Sequence, residues 1–334
     1  MANSRTAGEL ALIESIRRQE AGVPRPASLR LGMGDDCAIL RPRPGHEFCV
    51  TTDFTLEQVH FRRDWHPPES VGHRCLARGL SDLAAMGARP VAVFLSIALP
   101  ARLPSHWFDR FLRGFLTLAA RHRTPLAGGD TAASASATIA ADIVAIGDVA
   151  SGTALLRSGA RPGDALYVTG SLGGAAAELR QLSGKPRQFR GMTQASPDHP
   201  HLYPEPRLAV GRRLRGLAHA AIDISDGLST DLTHLCRESG VAAVLEEARL
   251  PIHPLALENP NALELALHGG EDYELLFAAG PKDRIPRSIG GVPIRRIGTM
   301  RKVHPGQPPI LLKTRDGHST SLAAAGWQHF VPNR

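Results

Sequence analysis

The chain has no CxxC pair, no Walker A sequence, no kinase-type GxGxxG or HRD motif, and no apolar run approaching the roughly 18 residues of a membrane helix. Its four cysteines, Cys37, Cys49, Cys75 and Cys236, lie far apart. That spacing argues against a disulfide framework and against a zinc site. The opening stretch, MANSRTAGELALIESIRRQE, carries acids inside its apolar pattern and has no signal-peptide hydrophobic region, so it reads as an amphipathic first helix. A cytoplasmic protein without membrane contact is the expectation. Aromatics are scarce, at 5% of the residues, and neither finger spacing nor an RNP-type motif occurs. The net charge of +7, from 39 basic and 32 acidic residues, is therefore no sign of nucleic-acid binding. It comes largely from dispersed arginines such as Arg41, Arg62, Arg121 and Arg212.

What is present suits a soluble enzyme of two domains: 334 residues, 43% hydrophobic and 21% charged. Strands are predicted over 47–52, 91–99 and 138–149. Between them, Val71, Cys75, Leu76, Leu80, Leu83 and Met86 have helical spacing, as do Trp107, Phe108, Phe111, Leu112, Phe115 and Leu116 over 105–122. A turn-rich stretch at 150–164 restarts the pattern, which divides the chain into 1–150 and 151–334. The second half reads as strand 165–169, helix 175–181, a polar, Pro-rich loop over 184–206, helix 207–218, strand 220–224 and helix 227–238. Strands near 241–246, 274–279, 292–297 and 309–314 complete it.

Acids recur beside glycine, serine or threonine at predicted element ends: GMGDDCAIL, TTDFTLEQVHF, GLSDLAAMGARP, AGGDT, AIDISDGLSTDL and HGGEDYELLF. Each has an ordinary structural explanation. Asp82 lies roughly 200° around its helix from Leu80, where a solvated surface acid is the usual outcome. Asp53 and Asp35-Asp36 suit Asx-turns, Asp130 suits a type I or II turn just past a short strand at Leu126-Ala127, and Ser225 or Asp226 suits a helix N-cap. Asp223 fits these explanations least, because an acid inside the apolar run 220–224 is costly unless paired or metal-bound. Independent turns do not need Asp every time. Together the acids point to several divalent cations that hold phosphates. Gly170-Ser171-Leu172-Gly173-Gly174 is either a phosphate cradle at a helix start or a tight turn.

These segments, with LLRSGARPGD and the terminal GWQHF, occur in the order found in thiamine-monophosphate kinases, and the chain resembles that family from about residue 8 to 330. The family belongs to the aminoimidazole-ribonucleotide-synthetase-like, ATP-using superfamily. The resemblance implies an α+β fold of two domains. One is an N-terminal mixed β-sheet with helices (1–150), which binds ATP and magnesium and joins a second copy in a β-barrel. The other is a C-terminal α/β sandwich (151–334), which completes the ATP and substrate site. It also implies direct in-line transfer of the ATP γ-phosphate to thiamine monophosphate, giving thiamine diphosphate, with several magnesium ions. Carried over by motif, Asp36, Thr51, Thr52, Asp53, Asp82, Asp130, Asp223 and Asp226 resemble the magnesium ligands. Gly129, Asp130, Arg157 and Ser225 resemble the ATP contacts, and His60, Glu271 and Trp327 the thiamine-phosphate contacts. No general base is expected, because a phosphate monoester with a second pKa of about 6 is already a dianion at neutral pH.

Three positions depart from the family pattern: Gln58 replaces a usual glycine, Gly79 a common asparagine and His122 a frequent tyrosine. The alternatives are another enzyme of the superfamily with a different acceptor, or a non-catalytic nucleotide-binding protein. Selenophosphate synthetases carry a reactive Cys or Sec in an N-terminal Gly-rich segment, and residues 1–30 contain no cysteine. Hydrogenase-maturation enzymes depend on a C-terminal Cys, whereas this sequence finishes HFVPNR.

Overall fold

The computed structural model describes residues 9–20 and 22–330. They fall into two compact units. One runs to Leu83 and includes Arg89–Ser151 and Gln181–Tyr203; the other holds Ala84–Ala88, Gly152–Arg180 and the residues from Pro204 onward. The polar segment 181–203 groups with the first unit because its buried end is anchored there. His66 Nε2 and His201 Nε2 are 3.0 Å apart, and the rings of His73 and Tyr203 meet edge to face.

The first unit contains α1 (Glu9–Glu20), β1 (Leu29–Leu31), β2 (Ile39–Leu40), β3 (His46–Leu56), α2 (Pro68–Ala85), β4 (Arg89–Pro100), α3 (Ser105–His122), β5 (Leu126–Ser134) and β6 (Ala140–Ala150). Strands β1 and β2 form a small ribbon, and the main sheet has the order β3-β6-β4-β5. Only the β4–β5 pair is parallel. Alternation assigns one face to the core: Ile143 and Ala145 of β6 and Val91, Val93, Leu95 and Ile97 of β4 are buried. Helix α2 lies on that face. A Cβ at Gly79 would stand 2.6 Å from Ile143 Cδ1 and 3.1 Å from Ala145 Cβ, so this chain's glycine makes room for an isoleucine beneath it.

The aromatic stripe of α3 is buried as its spacing predicts. The helix crosses α2 at backbone contact, since a Cβ at Gly72 would meet Phe111 O, and one at Gly114 would meet Glu69 O, each at 1.9 Å. The crossing is locked by the Arg110 fork, whose Nε and Nη2 each donate to the Glu69 carboxylate at 2.8 Å. One expectation fails here. Residues 126–134 form a full strand rather than a short strand followed by a turn. Its small residues carry little β-propensity, and the strand exists because it pairs with β4.

The second unit contains β7 (Ala165–Thr169), α4 (Gly174–Gly184), α5 (Leu208–Leu214), β8 (Ala220–Ile224), α6 (Leu228–Ser239), β9 (Ala242–Glu246), α7 (Pro254–Leu257), α8 (Ala262–His268), β10 (Glu274–Ala279), β11 (Ser288–Ile289), β12 (Val292–Arg301), β13 (Ile310–Lys313) and β14 (Ser319–Ser321). Its eight-stranded mixed sheet runs β14-β13-β9-β12-β7-β10-β8, with β11 paired to β12. Leu228, Leu232 and Leu235 of α6 pack into a core with Leu166, Val168, Ile222, Ile224, Leu276 and Ile297 of the strands. The two-domain α+β class is as expected, with no closed barrel among the described strands. Helix α8 was not foreseen.

Gly114→Ala is expected to destabilise the protein by about 1–3 kcal/mol, because neither backbone can yield at the α2–α3 crossing. Urea denaturation would check it, with Gly191→Ala as a control for which no atom lies within 4 Å of the new Cβ.

Candidate functional site

In the first unit the pleat of β3 sorts the predicted ligands. Thr51 and Asp53 are half-buried, while Thr52 and Phe54 project from the opposite, exposed face. The Thr51 hydroxyl donates to Asp82 Oδ2 at 2.5 Å. Asp82 is therefore half-buried against β3 rather than solvated. Arg78, one helical turn earlier on α2, donates from Nε to Asp53 Oδ1 at 3.2 Å. Burial holds the Asp53 carboxyl above its ordinary pKa, opposed by the charge and hydrogen bond of Arg78 and reinforced by Asp142. Thr52 is turned away from this group and donates instead to Asp142 Oδ1 at 2.8 Å. Asp36 sits on an exposed turn, where its amide donates to Asp35 Oδ1 at 3.0 Å. Asp130 is exposed on the edge strand β5, opposite Ser96 of β4. The glycine before it, Gly129, has φ +153°, and a Cβ there would meet Leu95 O at 1.9 Å. The fold thus unites Thr51, Asp53 and Asp82 on one side of the sheet and sets the Thr52 side chain on the other.

His60 sits in a tight turn after β3. Its Nδ1 accepts from Leu56 N at 3.0 Å, which in the neutral ring leaves the proton on Nε2. Glu57 clips the turn in place, accepting from Arg63 Nε at 2.5 Å and from Ile139 N at 2.9 Å. Gln58 has φ +71°, in the left-handed region that glycine enters without penalty, which explains the glycine common at this position.

In the second unit Asp223 is buried at the end of β8, and Ser225 and Asp226 form the half-buried turn that leads through Gly227 into α6. Asp226 N and Gly227 N both donate to Asp231 Oδ2, at 3.1 and 3.0 Å. Burial, with Asp223 and Asp226 nearby, pushes the Asp231 carboxyl up to about 8. Arg157 is exposed, and its carbonyl accepts from Ser239 Oγ at 2.9 Å. Glu271 and Tyr273 both have positive φ, +67° and +50°. Between them Asp272 reaches the start of α4, accepting from Gly173 N at 2.6 Å and Ala175 N at 3.1 Å. Burial pushes this carboxyl up to about 7 against the pull of those amides. The phosphate-cradle reading of Gly170–Gly174 fails for that reason: a protein carboxylate already takes the amides. Trp327 is about half exposed (49%), and its amide donates to Asp226 O at 2.9 Å.

Asp142, Asp231 and Arg78 were missed by sequence reasoning. Asp231 was detectable, since STDL places an acid on the otherwise buried face of α6; Asp142 and Arg78 depend on cross-strand and helix–strand register. Among the described residues no three His, Cys, Asp or Glu side chains converge as a metal cage. The donors present, carboxylates with a threonine hydroxyl, are nevertheless the hard oxygens magnesium takes. That ion uses one or two carboxylates and completes its shell with water and phosphate oxygens, so the residues fit it.

Comparison with known proteins agrees with this geometry. Residues 34–149 match the family model for the AIR synthase related protein N-terminal domain, and 161–300 that for its C-terminal domain. The thiamine-monophosphate kinase of Haemophilus influenzae is 34% identical, over 98% of this chain and 99% of its own. That of Escherichia coli K12 is 37% identical, over 91% and 93%. The crystal structure of thiamine-monophosphate kinase from Stenotrophomonas maltophilia superposes with a TM-score of 0.77 at 35% identity, covering 95% of this chain and 98% of the other. AaThiL complexed with AMPPCP and TMP gives 0.75 at 27%, covering 99% of both. The hydrogenase maturation protein HypE in complex with ATP shares the fold, with a TM-score of 0.76 at 18% identity over 96% of each chain. The chain belongs to the thiamine-monophosphate kinase family of AIR synthase related proteins.

Two outcomes are expected from these loops. Gln58→Val should cost about 1–2 kcal/mol, because a β-branched residue is strained at positive φ, whereas Gln58→Gly should not. Asp272→Ala should cost about 1–3 kcal/mol by leaving amides at the start of α4 unpaired. Both are read from urea denaturation midpoints.

Proposed function

We propose that the chain transfers the γ-phosphate of ATP directly to thiamine monophosphate, giving thiamine diphosphate. The observation that carries this reading is the family's motif set, present in order along the chain, with thiamine-monophosphate kinases as relatives over nearly the whole length. A related structure holds an ATP analogue and TMP together.

The acceptor is a phosphate dianion, so no side chain has to remove a proton from it. The barrier is the approach of one polyanion to another, and the task of the protein is positioning and charge compensation. Asp36, Thr51, Asp53, Asp82, Asp130, Asp223 and Asp226 are the proposed magnesium ligands; Thr52, facing away, would contribute through its main chain rather than its hydroxyl. Held by these oxygens, magnesium would supply positive charge that offsets the repulsion between the two phosphates. Gly129, Asp130, Arg157 and Ser225 are assigned to the nucleotide. For the acceptor, His60 offers an Nε2–H donor, Glu271 a negative charge toward the cationic thiamine and Trp327 an aromatic face. The exposed Val50 and Phe54 on edge strand β3 support pairing with a second copy through this face. No described helix is long and apolar enough to cross a membrane.

Incubation with thiamine monophosphate, ATP and magnesium should yield thiamine diphosphate and ADP, and EDTA should stop it. A folded protein that makes no product would remove this acceptor. Asp53→Asn and Asp82→Asn are expected to lower kcat by about 100-fold or more with little change in melting temperature. Near-normal turnover in either would take that residue out of the set. Trp327→Ala should raise KM for thiamine monophosphate about tenfold, in keeping with an aromatic stack of 1–3 kcal/mol, and leave that for ATP nearly unchanged.

A further inference from the structure

Two consecutive peptides in the second unit hold residues from two distant parts of the sequence. The carbonyl of Ser225 accepts from Glu271 N at 2.8 Å, and the next carbonyl, of Asp226, accepts from Trp327 N at 2.9 Å. A peptide is planar, so the carbonyl of one residue and the amide of the next turn together. The amides of those same two peptides, Asp226 N and Gly227 N, both donate to a single oxygen, Asp231 Oδ2, at 3.1 and 3.0 Å. Asp231 therefore grips one edge of each plane, and Glu271 and Trp327 hang from the other edges.

The surroundings leave this arrangement little freedom. Ala325 N donates to Ser229 Oγ at 3.3 Å and Gly326 N to Thr230 Oγ1 at 3.1 Å, so the tail is pinned to the first turn of α6. A Cβ at Gly326 would stand 2.0 Å from Asp226 O, and one at Gly270 would stand 2.7 Å from Ser225 O. Both approaches are at backbone contact. A tilt of either peptide must move the tail, the 270–271 segment, or both. Asp231 itself is 2% exposed on α6, anchored by its helix.

We infer that the Ser225–Gly227 turn couples the binding of the nucleotide to that of the phosphate acceptor, and that Asp231 is its positioning residue. The inference rests on the functional reading above, in which Ser225 and Asp226 meet the nucleotide and its metal while Glu271 and Trp327 meet the acceptor. A ligand that draws on the Ser225 or Asp226 side chain orders the two planes, and their carbonyls then present Glu271 and Trp327 already in place. By linkage, an acceptor seated on those residues favours the same plane orientation for the nucleotide. Asp231 touches neither ligand in this account. Its carboxylate acts only by holding both amides through one oxygen, a task that the amide oxygen of an asparagine performs equally.

The test is calorimetric titration of thiamine monophosphate into wild type, Asp231→Asn and Asp231→Ala, each with and without magnesium and the non-hydrolysable AMPPCP. Wild type should bind the acceptor about 5- to 100-fold more tightly with the nucleotide present. Asp231→Asn should keep that ratio and Asp231→Ala should lose most of it. A wild-type ratio near one overturns the coupling while leaving the functional reading intact. An unchanged ratio in folded Asp231→Ala also overturns it, because the cooperativity then comes from direct contact between the ligands. Should Asp231→Ala show no melting transition, Thr230→Val takes its place. It removes only the Gly326 acceptor and should lower the ratio, and a wild-type ratio there rejects the inference. Acceptor that fails to bind wild type under either condition rejects the functional reading, and the coupling falls with it.

Discussion

Carboxylates gathered in number repel one another and resist burial, and five of those in this molecule have donors of their own. Asp82 takes the Thr51 hydroxyl, Asp53 the Arg78 guanidinium and Asp142 the Thr52 hydroxyl. Asp231 and Asp272 take pairs of backbone amides. The strand pleat and the helix-on-sheet packing are what bring those donors within reach. Close approach at Gly79 lets α2 settle on β6, and this seats Arg78 and Asp82 against β3. Asp53 and Asp82, both proposed as cation ligands, are thus held by a guanidinium and a hydroxyl that a bound cation could replace or share. The acids assigned to scaffolding are held by amides that nothing need displace.

Backbone strain follows the same division. Gln58 lies two residues before His60, and Glu271 two before Tyr273; Gln58, Glu271 and Tyr273 are three of the five described non-glycine residues at positive φ. Such conformations persist only where the surroundings over-determine them. Here the surroundings are long-range: Glu57 ties the first turn to Ile139, and Asp272 ties the second segment to the start of α4. The buried Arg207–Glu274 fork, with Nε to Oε2 at 2.7 Å, holds the strand that follows. Both segments are thus backed by a carboxyl group that accepts at each of its oxygens.

Much of the fold was legible. The stripe on α3 and the apolar face of α2 came from spacing, since burial on one face leaves a period in the residues, whereas the strand at 220–224, buried throughout, came from its apolar run. Strand β5 was not legible beyond its first residues, because LAGGDTAAS has no alternation and owes its extension to β4. Helix α8 was hidden by its shortness and by the weak pattern of ALELALH. In the candidate site, motif order singled out a set of acids but not which way they point. Thr51 and Thr52 are adjacent and look equivalent in sequence, yet the pleat sends their hydroxyls to opposite faces. Arg78 and Asp142 carry no motif of their own and enter only through register. The Gly-rich stretch before α4 looked open to phosphate because the acid that fills it lies about a hundred residues away in sequence, beyond the reach of any local pattern.

The seating of residues 325–327 on the turn at 225–227 also sets a schedule. Every strand of the second unit is synthesised before the segment that closes over Asp226. At a ribosomal pace of about 5–20 residues per second, the turn leaves the exit tunnel roughly 5–20 s ahead of Gly326 and Trp327. During that interval the Asp226 carbonyl, which a tail Cβ could not clear, faces solvent or whatever else is at hand. A newborn chain therefore contains every strand of its second sheet before it contains the segment that seats Trp327 on Asp226.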